Sequence, residues 1–215
     1  HAGCEHGGEL DKAVGLGQQL SGAGFDNVQI NLADAGVAGY QDDLNALLSG
    51  GTLGSDVDSL RAAGLNVNTI DLGGAAVEGV VRIDESQAGA LITDGLHFAA
   101  GDNITLDAST AAGTHLHNSL KDLSKLGVDT VSVAAGGMVS VDLGGLSLDD
   151  LGTGGLVLPK FTSTDGQADD ITVSLDVANL AELDTAAGLG GKLSGAGFDN
   201  VQINLADAGV AGYQD

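Results

Sequence analysis

Twenty-three residues of this chain occur twice. LSGAGFDNVQINLADAGVAGYQD runs from Leu20 to Asp42 and returns, letter for letter, from Leu193 to Asp215, 173 residues later. Just upstream, ELDTAAGLGGK (Glu182–Lys192) matches ELDKAVGLGQQ (Glu9–Gln19) with four substitutions. Any fold for this chain must therefore use one local sequence in two places. Fold constraints fix residue class and do not choose Gln over Asn at a solvent position. Identity of this length marks duplication within a tandem array. The chain is expected to comprise a junction or terminal segment at residues 1–8, one large repeat at 9–181 and the start of the next copy at 182–215.

A shorter pattern sits inside the long one: Leu, three residues, Gly, then an apolar residue. It occurs at Leu20/Gly24/Phe25, Leu60/Gly64/Leu65, Leu91/Gly95/Leu96, Leu123/Gly127/Val128, Leu151/Gly155/Leu156 and Leu193/Gly197/Phe198. Physically this is a helix end. A glycine just past the helix adopts positive φ without strain, and the residue after it packs back on the leucine one turn earlier. It also occurs at Leu32/Gly36/Val37, in a context that is not helical.

Each glycine is followed by period-two alternation, the strand signature. Val28, Ile30 and Leu32 alternate with Gln29 and Asn31, and Val139, Val141 and Leu143 with Ser140 and Asp142. Gly, Asp and Asn clusters bound these runs, which predicts β-hairpins. Helical patterns follow. Leu116, Leu120 and Leu123 share one face, and Ser55, Ser86 and Ser147 are candidate N-caps. Two short helices are expected around Asp43–Leu48 and Asp56–Ala63, and a longer one over Asn179–Leu193. The predicted fold class is α/β, with about five strand-turn-strand-helix units stacked as a solenoid or compact repeat domain. The alternative is a single α+β domain with pseudo-repeats. One sheet face would be aliphatic. The other would carry Gln29, Asn31, Thr105, Asp107, Ser132, Ser140, Asp142, Thr172, Ser174 and Asp176, solvated or forming an interface.

Composition narrows the function classes. Aromatic residues make up 3%, so the core must be built from Leu, Val, Ile and Ala. Thirty-six glycines with a single proline and no Gly-X-Y period fit many tight turns rather than collagen. The net charge of −23 repels phosphate backbones, which argues against a nucleic-acid partner, and favours divalent cations. No apolar run approaches the ~20 residues that span a bilayer, so membrane insertion is not expected. One cysteine, Cys4, excludes an internal disulfide.

Candidate ligand groups are sparse. Asp165, Asp169 and Asp170, and Asp102 with Asp107, are acidic clusters able to offer hard oxygen ligands to Ca²⁺; solvated turn acids are the alternative. His1, Cys4 and His6 are a tight group of softer ligands with no fourth member, at a terminus. His115 and His117, two apart on an expected helix, point away from each other. No GxSxG, HExxH, Walker loop or dinucleotide fingerprint is present, so no enzyme activity is expected.

SGAGFDNVQ (Ser21–Gln29, Ser194–Gln202) resembles the calcium-binding nonapeptide of secreted RTX proteins, with Ser in place of the first Gly. That resemblance implies aspartate ligands from adjacent turns. The next nine residues, INLADAGVA, do not repeat the motif, and the helix-end reading explains the same glycine. The near-identical copies and the acidic, Gly/Ala/Asp-rich, aromatic-poor composition resemble the repeat regions of large secreted or cell-surface bacterial adhesins and biofilm-matrix proteins (RTX/Bap-like). This resemblance implies an extracellular or cell-surface structural segment that forms a fibre, matrix or surface layer. Its partners would be neighbouring copies of itself. The alternative is a calcium- or glycan-binding repeat module.

Overall fold

The computed structural model describes residues 7–32, 37–73, 80–109, 114–152, 155–165, 171–196, 198 and 200–205. The chain divides into two compact units: His1–Arg82 with Gly89–Ile104, and Ile83–Ala88 with Thr105–Asp215.

The first unit contains α1 (Gly7–Gly22), β1 (Asn27–Asn31), α2 (Val37–Ser49), α3 (Leu53–Ala62), β2 (Asn66–Asp71) and β4 (His97–Phe98). Between β2 and β4 come β3 (Val81–Ile83) and α4 (Glu85–Thr93), through which the division passes. One sheet has the order β1-β2-β4. Leu44, Val57, Leu60, Val67, Ile70 and Leu72 are fully buried around it.

The second unit follows with β5 (Ile104–Ala108), β6 (Thr114–His115), α5 (Leu120–Leu126), β7 (Thr130–Val133), β8 (Met138–Asp142) and α6 (Leu148–Gly152). It ends with β9 (Lys160–Ser163), β10 (Thr172–Val177), α7 (Leu180–Gly195) and β11 (Asn200–Leu205). Its strands fall into sheets of order β11-β10-β8-β6 and β3-β5-β7-β9. The core is aliphatic as composition requires, with Leu106, Leu123, Val131, Val141, Leu175 and Leu189 fully buried and Phe161 the one large aromatic among them.

Five of the six helix ends are built as the pattern predicts; residues 153 and 154 of the sixth, Leu151/Gly155/Leu156, lie outside the described residues. Gly24, Gly64, Gly95 and Gly127 have φ between 65° and 91°. The amides of Phe25, Leu65, Leu96, Val128 and Phe198 donate to the carbonyls of Leu20, Leu60, Leu91, Leu123 and Leu193 at 2.9–3.3 Å. That bond, six residues back to one, satisfies a carbonyl the helix leaves free and aims the chain into the next strand.

Among the described residues the expected hairpins are not formed. Every ladder whose register is described is parallel, and it joins strands from different strand-turn-strand-helix segments of the predicted repeat: β7 pairs with β5 and β9, and β8 with β6 and β10. Alternation specifies a strand, not the direction of its neighbour. A turn such as Ala134–Gly137, closed by the Gly137 amide on the Ala134 carbonyl, turns β7 into β8 without pairing them. The pairing partner arrives through a helix, which makes the ladder parallel. The class is therefore α/β, with seven helices among the described residues.

Burial on two faces also corrects the solvated polar face. Thr105, Ser132, Ser174 and Asp176 are buried, because parallel strands inside a sheet are covered on both sides. Gln29, Asn31, Asp107, Ser140 and Thr172 are partly covered and Asp142 is exposed.

Capping follows the sequence in part. Ser147 caps α6: its Oγ accepts from the Asp150 amide (3.3 Å), and Asp150 accepts from the Ser147 amide (2.9 Å). Asn179 caps α7, accepting from the Glu182 amide at 3.0 Å. Ser55 instead lies within α3, its hydroxyl donating to the Thr52 carbonyl, and Asp84 rather than Ser86 caps α4 through the Gln87 amide. Asp84 wins because its carboxylate reaches Gln87 N while the Gln87 side chain returns to Asp84 N, a closed capping box.

Candidate assembly joint

Where both copies are described, the duplicated stretch forms the same helix end and the same strand. α1 and α7 end at equivalent residues, Gly22 and Gly195, and β1 and β11 begin at Asn27 and Asn200. What differs is which side of the motif is covered.

In the first copy the following elements cover it. β1 pairs in parallel with β2, Ile30 and Leu32 are 1% and 2% exposed, and a Cβ on Gly17 would meet the Ala63 Cβ at 3.0 Å. Its other side is open: Leu16 is 47% exposed and Phe25 55%. In the second copy the preceding elements cover it. β11 pairs in parallel with β10, Leu189 and Phe198 are 0% and 3% exposed, and Phe198 packs edge-on to Phe161 with ring centroids 6.2 Å apart. Here the far side is open, with Ile203 38% and Leu205 48% exposed.

The glycines report the same switch. Gly188 faces Leu148 (Cδ2 2.8 Å from an added Cβ) and its equivalent Gly15 faces open space; Gly190 faces open space and its equivalent Gly17 faces α3. Identical residues thus have opposite halves of one environment. One of the four substitutions follows suit: Thr185 is buried against the preceding elements, and its equivalent Lys12 is exposed where nothing precedes it among the described residues. Leaving a Leu, Ile or Phe side chain in water rather than buried forgoes roughly 1.5–3 kcal/mol. Each open half is therefore a surface that gains by being covered.

A groove of about 320 Å³ runs along the open side of the second copy, lined by Ala186, Ala187, Gly190, Ser194, Phe198 and Ile203. The equivalent side of the first copy is where α3 lies, with Leu60 and Ala63 over Gly17 and Gly64 beside Ser21.

The candidate calcium ligands that the structure describes each accept a hydrogen bond from the protein. Asp102, in the first unit, accepts from the Leu72 amide at 3.3 Å; Asp107, in the second, accepts from the Ser109 amide at 3.1 Å. Asp165 is hydrogen-bonded by the Ser163 hydroxyl. Asp169 and Asp170 lie outside the described residues, as do His1, Cys4 and His6. Among the described residues no group of three or more His, Cys, Asp or Glu is placed to hold a metal. His115 and His117 are not helical: His115 lies in β6, its Nδ1 3.3 Å from Asp176, and His117 precedes α5. Ser119, accepting from the Asp122 amide, starts that helix later than the leucine spacing implied and leaves Leu116 outside it.

A second recess, of about 420 Å³, lies between α6 and α7 and is lined in part by Asp149, Glu182 and Asp184. Glu182 is committed to the helix start, where it accepts from the Ala178 amide at 2.7 Å. The acids there gather no His or Cys.

Sequence reasoning located the duplicated stretch but not its two half-environments. Nothing in the segments that hold Phe161 and Leu148 marks these two residues as the ones that cover the second copy. No helix among the described residues is long and apolar enough to cross a membrane. No protein-family model matches the chain, and no curated protein or solved structure matches it significantly.

Proposed function

We propose that this chain is a structural, adhesive repeat segment of an extracellular bacterial protein that forms a fibre, matrix or surface layer. Its units stack as a solenoid, and neighbouring copies of the same repeat are its partners. The observation that carries this reading is the split environment of the duplicated stretch: each copy buries the half that the other leaves open. One such motif placed between two repeats would have both halves covered. The parallel ladders support the same reading, because they pair strands of successive units and so extend without a closing strand. The acidic surface keeps arrays soluble and apart from one another. No catalysis is assigned to the segment.

Electron microscopy of protein carrying several consecutive repeats tests the proposal. Elongated particles whose length grows in proportion to repeat number are expected. Compact particles, or separate beads at random angles across salt and calcium conditions, would count against it.

A further inference from the structure

The backbone hydrogen bonds at the joint specify how one repeat meets the next. In a parallel ladder only alternate residues of a strand turn their N–H and C=O toward a given neighbour. In β1, the Asp26 carbonyl accepts from Asn66 N–H (2.8 Å) and Leu32 N–H donates to the Asp71 carbonyl (2.9 Å). Val28, Ile30 and Leu32 are therefore the residues addressed to β2. In β10, Thr172 N–H donates to the Gly137 carbonyl (3.1 Å), so Thr172, Ser174 and Asp176 address β8 and Val173, Leu175 and Val177 address β11. Val173 lies opposite Val201, and Leu175 opposite Ile203. Opposed residues of a parallel pair do not both face each other, so Asn200, Gln202 and Asn204 face β10. Val201, Ile203 and Leu205 turn outward, to an edge that no strand among the described residues occupies. These three are the copies of Val28, Ile30 and Leu32, the residues that hold β2 in the first copy.

We infer that the outer edge of β11 and the groove beside α7 are the seat of a second copy of Asp43–Leu72, the stretch carrying α3 and β2. Asn200 pairs opposite Asn66, Val201 opposite Val67, Gln202 opposite Thr69 and Ile203 opposite Ile70, as their equivalents do in the first copy. Leu60 and Ala63 of the incoming α3 fill the groove over Gly190, whose missing side chain leaves the space that Gly17 leaves in the first copy. The two partial sheets become one, in the order β6-β8-β10-β11-β2-β4, with the last two strands from the following copy. Its rows are already matched. Val141, Leu175, Ile203, Ile70 and Phe98 form one apolar line; His115, Ser140, Ser174, Gln202, Thr69 and His97 form one polar line. The inference rests on reading the chain as a repeat segment and adds the register and the contact face.

The test appends a second copy of residues 43–104 after Asp215 and compares amide hydrogen exchange in the 215-residue and extended chains. In the 215-residue chain, Gln202 and Asn204 amides are expected to be protected and those of Val201, Ile203 and Leu205 to exchange freely. In the extended chain the latter three should slow by at least about a hundredfold. Gly190→Leu, which has room in the shorter chain, should abolish that protection in the longer one. An appended copy that folds without protecting these amides overturns the joint and leaves the repeat-segment reading standing. Protection already present in the 215-residue chain also overturns it. An appended copy that stays unfolded overturns both.

Discussion

Phe198 lies edge-on to Phe161, ring planes 73° apart, while Phe25, the same residue of the same duplicated sequence, is 55% exposed. One side chain in two settings separates what local sequence does from what its surroundings do. Phe198→Ala should destabilise the chain by about 3 kcal/mol through lost burial and a residual cavity. Phe25→Ala should change stability by less than about 0.5 kcal/mol. Denaturant unfolding of the two variants checks this, and equal losses would contradict the split environment.

Four glycines give a second reading of the same relationship. Replacing a helical glycine by alanine in open space stabilises by roughly 0.5–1 kcal/mol. Gly15→Ala and Gly190→Ala should show that gain, because an added Cβ meets nothing within 4 Å. Gly17→Ala should not, because the Cβ would press on Ala63 at 3.0 Å. Gly188→Ala should fall between, since the Leu148 side chain at 2.8 Å is a flexible end that can move aside. Thermal melts of the four variants test the order; a uniform gain would show that α1 and α7 have the same open faces.

Arg61 fastens the end of α3 to the strand that follows. Its guanidinium donates to the carbonyls of Val67 (2.6 and 3.1 Å), Asp94 (2.8 Å) and Gly95 (3.3 Å). Lysine keeps the charge but not the planar fork that reaches these carbonyls together. Arg61→Lys should cost about 1 kcal/mol by leaving part-buried carbonyls without their charged donors. An unfolding midpoint unchanged by this substitution would refute the role.

Asp150 sets a dependence on pH. The amide and then the hydroxyl of Ser147, followed by Lys121, hold its carboxyl down at about 2, against an ordinary 3.8. A carboxyl lowered in the folded state favours folding fully above its unfolded value, and that contribution fades as pH falls from about 4 toward about 2. Asp150→Asn should therefore lower the melting temperature at pH 6 and make no difference near pH 2. Asp94 works in the opposite direction. Burial and then the charge of Asp58 raise its carboxyl, against the lowering pull of Arg61, so its contribution is lost as pH rises. Parallel pH profiles for the wild type and Asp150→Asn would contradict the assignment.

Local chemistry was legible in the sequence. The six-residue pattern located helix ends at Leu20, Leu60, Leu91, Leu123 and Leu193, because a glycine at positive φ followed by an apolar residue needs only its own helix to close the bond. The Ser147 cap was readable for the same reason, whereas Asn179, which starts the expected last helix, is shown as its cap only by the structure. Ser55 and Ser86 misled because any serine can cap and the neighbouring backbone decides which one does. The acidic clusters named as calcium candidates include residues that bond nearby amides or hydroxyls, which is a common use of turn aspartates.

By itself the sequence determined an aliphatic α/β chain with defined helix ends and one motif used twice, since propensity, alternation and capping act within a few residues. Only the tertiary structure decided that successive strands from β2 to β10 join different sheets, with parallel ladders, and which half of the duplicated motif each copy buries. Pairing direction and burial depend on residues that are distant in the chain: Ile30 meets Ile70, while its copy Ile203 meets Leu175. The same letters therefore give two half-covered faces, and no reading of those letters alone could tell them apart.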